Sequence, residues 1–127
     1  MVLTIFYFVI AFIIFMHGLV HLFYFLSYWQ IYNFDEFPYK TTVLFGRIDL
    51  GPVGIRIFGV LFLVATIGFV IAAIGMALDT PWWRTLMAVM ALLSMALTLL
   101  DFKMAYGGPI VNILILLLVE FYPSPGG

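Results

Sequence analysis

The chain has 127 residues, the length of one domain. Only 9% are charged and 66% are hydrophobic, against about 25% charged in soluble domains, and mean hydropathy is +1.24, so the solvent this sequence is written for is lipid. A formal charge of −1 gives no field for nucleic acid, and the absence of cysteine excludes disulfides, thiol chemistry and iron–sulfur ligation.

A first span is predicted over about 3–31. That is about 29 residues, or roughly 43 Å of helix, where a hydrocarbon core of about 30 Å needs only ~20 residues; it tilts or projects. The N-terminus lacks Lys or Arg and no small-residue cleavage pattern follows the apolar run, so this helix is expected to be retained as an anchor. It holds the only two histidines, His17 and His21. Helical spacing continues their face through Tyr24 and Tyr28, a polar stripe at i, i+4, i+7 and i+11. Tyr28, Trp29 and Tyr32 read as an aromatic belt at the exit.

Residues 33–52 are the one long loop, holding Asp35, Glu36, Lys40, Arg47 and Asp49. Its apolar members Phe34, Phe37, Tyr39, Val43, Leu44 and Phe45 are too many for a solvated linker. It is expected to lie in the interface or cap the bundle, with a short helix or a hairpin. The second span, about 53–78, starts after Gly51-Pro52, where proline lacks an N–H that the first turn does not need. Ala65, Gly68, Ala72 and Gly75 repeat at i, i+3, i+7 and i+10, a smooth face for close helix packing in lipid.

Asp79-Thr80-Pro81 predicts a turn, and Trp82, Trp83 and Arg84 mark an interface. The third span, about 81–100, carries Ala91, Ser94 and Thr98 as another small or hydroxyl-bearing stripe, and Asp101 and Lys103 end it. Gly107-Gly108-Pro109 is a turn. A fourth span is predicted over about 106–121, with Asn112 one turn in and Glu120 at its far end. Residues 123–127 read as a structureless tail. No soluble domain and no internal repeat are visible. The fold class expected is all-α: an integral-membrane, four-helix, up-and-down bundle.

Four spans put both termini on one side. Loops 33–52 and 101–108 carry Lys40, Arg47 and Lys103, with Arg56 just inside span two, while the other side carries Arg84. The positive-inside rule then makes those loops cytoplasmic and both termini external. The same connectivity gathers His21, Tyr24, Tyr28, Arg56, Asp101, Lys103 and Asn112 in one half of the bundle.

Ionisable groups in hydrocarbon are functional candidates, and the histidines admit three readings. They hydrogen-bond across helices as neutral rings. They ligate, either as a metal site with Asp101 as third ligand or singly to a haem or chlorin, with Gly18 leaving room for the ring. Or they line a quinone or lipid-headgroup pocket with Tyr24, Tyr28, Arg56 and Asn112. Gly18 stands where a metalloprotease helix carries its general-base Glu, so that chemistry is absent. Arg56 and Asp101 are expected to form a structural ion pair, and Asn112 to join helices.

The run His17-Gly18-Leu19-Val20-His21-Leu22, then Gly46-Arg47, Arg56-Ile57-Phe58-Gly59, Trp83-Arg84 and a Ser94-containing third span resembles a group of small four-span prokaryotic membrane proteins, largely of unknown function and loosely DoxX-like. DoxX is similar to a small subunit of a thiosulfate:quinone oxidoreductase. The resemblance implies a redox-membrane setting and transfers no catalytic residue.

No complete catalytic constellation is present. The expectation is therefore a non-enzymatic accessory or structural subunit of a larger or self-assembled membrane complex in energy metabolism, with the bilayer and other membrane subunits or itself as partners. The alternative is a redox or cofactor-binding membrane protein using His17 and His21 around a haem, chlorin, metal or quinone. A transporter ranks third, since no span is broken and few charges are buried.

Overall fold

In each long segment the apolar run outlasts any local breaker, so each becomes one continuous helix. The computed structural model describes residues 2–121; the expected tail at 123–127 lies outside the described residues. Helix α1 is Val2–Tyr28, α2 Gly51–Ala77, α3 Trp83–Leu100, α4 Phe102–Ala105 and α5 Gly108–Phe121. A two-stranded hairpin, β1 Thr42–Val43 with β2 Ile48–Asp49, interrupts the 22 residues between α1 and α2. The chain is a membrane protein built as a helix bundle, with three helices long and apolar enough to cross a bilayer: Ile5–Tyr28, Gly51–Ala77 and Trp83–Leu100. The segment predicted as a fourth span is apolar but shorter, 14 residues in α5. The chain turns at Asp101 and uses four residues in α4 before α5 begins.

Two helix ends explain the small shifts from the expected boundaries. Helix α1 stops at Tyr28, not near 31, because Gln30 adopts a left-handed conformation (φ 54°). Its N–H reaches Ser27 O and that of Ile31 reaches Leu26 O, the paired bonds that satisfy the last carbonyls of a helix. Helix α2 ends the same way on Asp79 (φ 53°), with Asp79 N–H to Met76 O and Thr80 N–H to Gly75 O.

The helices pack in chain order: α1 on α2, α2 on α3, and α3 on α5. Helix α2 is the centre, and its Ile55, Phe62, Phe69 and Met76 are fully buried. Gly18 of α1 faces it so closely that an added Cβ would stand 2.7 Å from Phe69 Cβ and 3.5 Å from Thr66 O. The small-residue stripe Ala65, Gly68, Ala72 and Gly75 is buried within the chain itself. Gly68 receives Met90 of α3, and a Cβ at Gly75 would meet the Trp82 ring at 2.6 Å. That stripe is consumed by the chain's own packing and offers no face to a second protein.

The hairpin sits on the end of α3: Leu44 N–H donates to Leu100 O at 2.8 Å, giving that helix end a partner it lacks internally. The expected cap over the bundle is therefore present as a hairpin. Its tip runs through three consecutive left-handed residues, Leu44 (φ 52°), Phe45 (φ 58°) and Gly46 (φ 84°). Only the last is a residue suited to that region. At the opposite end, Arg84 donates to Val119 O, bringing a cation to the C-terminus of α5.

Candidate functional site: a closed polar network beside a groove

Three helices supply one polar layer. His17 and His21 project from one face of α1 with ring centroids 4.9 Å apart. His21 Nε2 lies 2.6 Å from Ser94 Oγ of α3, and its Nδ1 lies 2.9 Å from His17 O. Asn112 of α5 donates from Nδ2 to the same Ser94 Oγ at 2.9 Å, and its Oδ1 lies 3.3 Å from His17 Nε2. Thr98 donates to Ser94 O at 2.8 Å. Ser94 and Asn112 have no exposed surface and His21 has 3%. In a medium without water such groups must satisfy one another.

A second polar group lies toward the hairpin end. Tyr28, expected in the aromatic belt, is buried and donates to Asp101 Oδ2. Lys40 crosses from the loop to Asp101 Oδ1 at 2.6 Å, also donates to Thr42 O at 2.7 Å, and stands 5.4 Å from the Tyr28 ring centroid. Burial pushes the Asp101 carboxyl above its ordinary value, against the pull of the hydrogen bonds from Lys40 and Tyr28. The expected Arg56–Asp101 pair is not formed. Arg56 is exposed, and its guanidinium stacks 5.5 Å from the Trp29 ring centroid while Trp29 Nε1 donates to Arg56 O. The seated hairpin brings Lys40 to the carboxyl and leaves Arg56 on the outer face of α2.

Between α1 and the α4–α5 segment lies a groove of about 350 Å³. His17, His21 and Tyr24 line it from α1, and Thr98 of α3, Met104 of α4, Val111 of α5 and Tyr106 between α4 and α5 from the other elements. Tyr24 donates to Met104 O at 3.3 Å. Of the expected binding set, His17, His21 and Tyr24 thus meet in one concavity, and Asn112 stands behind it bonded to His17. Tyr28 and Arg56 do not share it; the first faces Asp101 and the second faces outward.

The proposed metal set is not brought together. Asp101 is held by Lys40 and Tyr28 away from both imidazoles, and among the described residues no three His, Asp or Glu side chains are placed to hold an ion. The space expected beside Gly18 for a porphyrin is taken by Phe69. Both ring nitrogens of His21 are engaged, so His17 Nδ1 is the one imidazole nitrogen with no hydrogen bond among the described contacts.

Ser94 and Thr98, expected only as members of a small or hydroxyl-bearing stripe with Ala91, carry much of the network. The available signal was the spacing Ser94, Thr98, Asp101, at i, i+4 and i+7, a polar stripe on α3 that mirrors the one on α1. Lys40 had no comparable signal, because a loop position has no periodicity to place it. Comparison of the chain with protein families, curated proteins and solved structures finds no match.

Proposed function

We propose that this chain is a small accessory subunit of a larger or self-assembled membrane complex, with α5 as a fourth crossing. The observation that supports it is the length of α5. Its 14 residues make roughly 21 Å of helix, well under a hydrocarbon thickness of about 30 Å, and such mismatch is relieved by association or by local thinning. The resemblance of the His17–Leu22 run to small DoxX-like proteins supports an energy-metabolism setting. The cations Lys40, Arg47 and Lys103, clustered at the hairpin end, support a cytoplasmic hairpin with both termini external. Native mass spectrometry after mild-detergent extraction from the host membrane tests the proposal. The expected result is a complex holding several copies of the 14.4 kDa chain or further subunits, and a lone chain at every detergent concentration overturns it.

One observation favours a second reading, in which the histidine face serves a small membrane-soluble ligand. The groove beside His17 is within the size range of small-molecule sites, about 300–1,000 Å³, and combines an apolar wall with a few convergent polar groups.

A further inference from the structure

We propose that the groove between α1 and α5 binds a hydroxyl-bearing amphiphile, a lipid-soluble alcohol or phenol, which donates its O–H to His17 Nδ1. This rests on the second reading above, that the groove takes a small ligand, and adds the chemistry the ligand must have.

The direction of each hydrogen bond follows from one fixed acceptor. A backbone carbonyl only accepts, so His21 Nδ1, 2.9 Å from His17 O, carries the proton of the neutral ring. Its Nε2 is then the lone pair, and Ser94 Oγ at 2.6 Å donates to it. With its proton spent there, Ser94 Oγ accepts from Asn112 Nδ2. Asn112 Oδ1 can only accept, so the contact at 3.3 Å puts the His17 proton on Nε2. The lone pair of His17 is left on Nδ1, in the wall of the groove and near the middle of the apolar segment Ile5–Tyr28.

The other hydroxyls of the inner groove have given their protons elsewhere. Thr98 donates to Ser94 O and Tyr24 to Met104 O. Tyr106 stands at the rim, 69% exposed. Among the side chains His17, His21, Tyr24 and Thr98, the groove therefore offers an acceptor and no uncommitted donor. A ligand presenting only a carbonyl or ether oxygen finds no partner among these four side chains, whereas an O–H finds His17 Nδ1. Val20, Phe37, Met104 and Val111 suit the hydrocarbon body of such a molecule.

The test uses the full chain in lipid nanodiscs with 15N-labelled histidine. The probes are 4-octylphenol and its methyl ether, of nearly equal size, compared at equal mole fraction in the bilayer. The phenol is expected to shift the His17 Nδ1 resonance saturably and to bind about tenfold tighter than the ether, the factor one hydrogen bond carries. His17→Phe is expected to erase that preference. Val111→Trp, which fills the groove without touching the network, is expected to abolish binding of both probes. If both probes bind wild type equally and Val111→Trp blocks them, the groove is a ligand site and the donor requirement is wrong. If neither binds, the groove reading and the proposal fall together.

Discussion

Ser94 is among the smallest polar side chains in the bundle and, like Asn112, joins three helices. Its hydroxyl serves His21 of α1 and Asn112 of α5 at once, and its carbonyl takes Thr98. Ser94→Ala strands an imidazole nitrogen and an amide together. A His21–Ser94 double-mutant cycle read by unfolding in detergent should return a coupling of about 1 kcal/mol, within the range of interhelical bonds in membranes. The glycines make a sharper comparison. A methyl at Gly18 meets Phe69 Cβ, which moves only with the α2 backbone, whereas a methyl at Gly68 meets the flexible end of Met90. Gly18→Ala is therefore expected to be the more destabilising of the two by ~1–3 kcal/mol, measured the same way. At this scale the histidine pair and Asn112 were legible, since a lone polar residue in an apolar run has few reasons to be there. What the spacing could not supply was the choice of Lys40 over Arg56 as the partner of Asp101. Both cations belong to the same half of the bundle, and only the seating of the hairpin decides between them.

Helix existence was written plainly in the runs of apolar residues, and the start of α2 in Gly51-Pro52. The ends of α1 and α2 were less visible, because the left-handed terminators are Gln30 and Asp79 where glycine is the usual signal. The loop carried a hairpin without the Asn-Gly or Asp-Gly that normally marks one; its tip is Leu44-Phe45-Gly46. Two contacts hold this element in place, and each predicts a response. Lys40→Met leaves the buried Asp101 carboxyl without its cation, and should cost about 3 kcal/mol. Pairing it with Asp101→Asn should recover much of that loss, with proteolysis of the loop as the readout. At the junction with α2, the Gly51 N–H and then a Thr41 hydrogen bond hold the exposed Asp49 carboxyl below its ordinary value. A depressed carboxyl anchors the junction above its ordinary value of 3.8 and loses that anchoring as pH falls through the folded value. The protection factor of the Gly51 amide, its exchange rate corrected for the intrinsic pH dependence of amide exchange, should fall on acidification in that window and stay flat from there to neutrality.

For the whole molecule, the lipid solvent and the all-helical class followed from composition, and the concentration of polar groups toward one end followed from connectivity. The packing order did not. Small residues at Ala65, Gly68, Ala72 and Gly75 read equally well as an internal seam or as a surface for a partner. Only the positions of Met90 and Trp82 assign them to the interior. The groove between α1 and α5 was likewise beyond reach, since it depends on a fourth helix shorter than the other three.

The network also has a history. His17 and His21 leave the ribosome first, and Ser94 and Asn112 follow 73 and 95 residues behind their partners. At ~5–20 residues per second, the Nε2 atoms of the two imidazoles wait for roughly 4–19 s for Ser94 and Asn112. During that interval the first helical hairpin holds polar groups in hydrocarbon without the side-chain partners that satisfy them in the finished bundle. Arrival of α5 brings Asn112 to both His17 and Ser94 and completes the network.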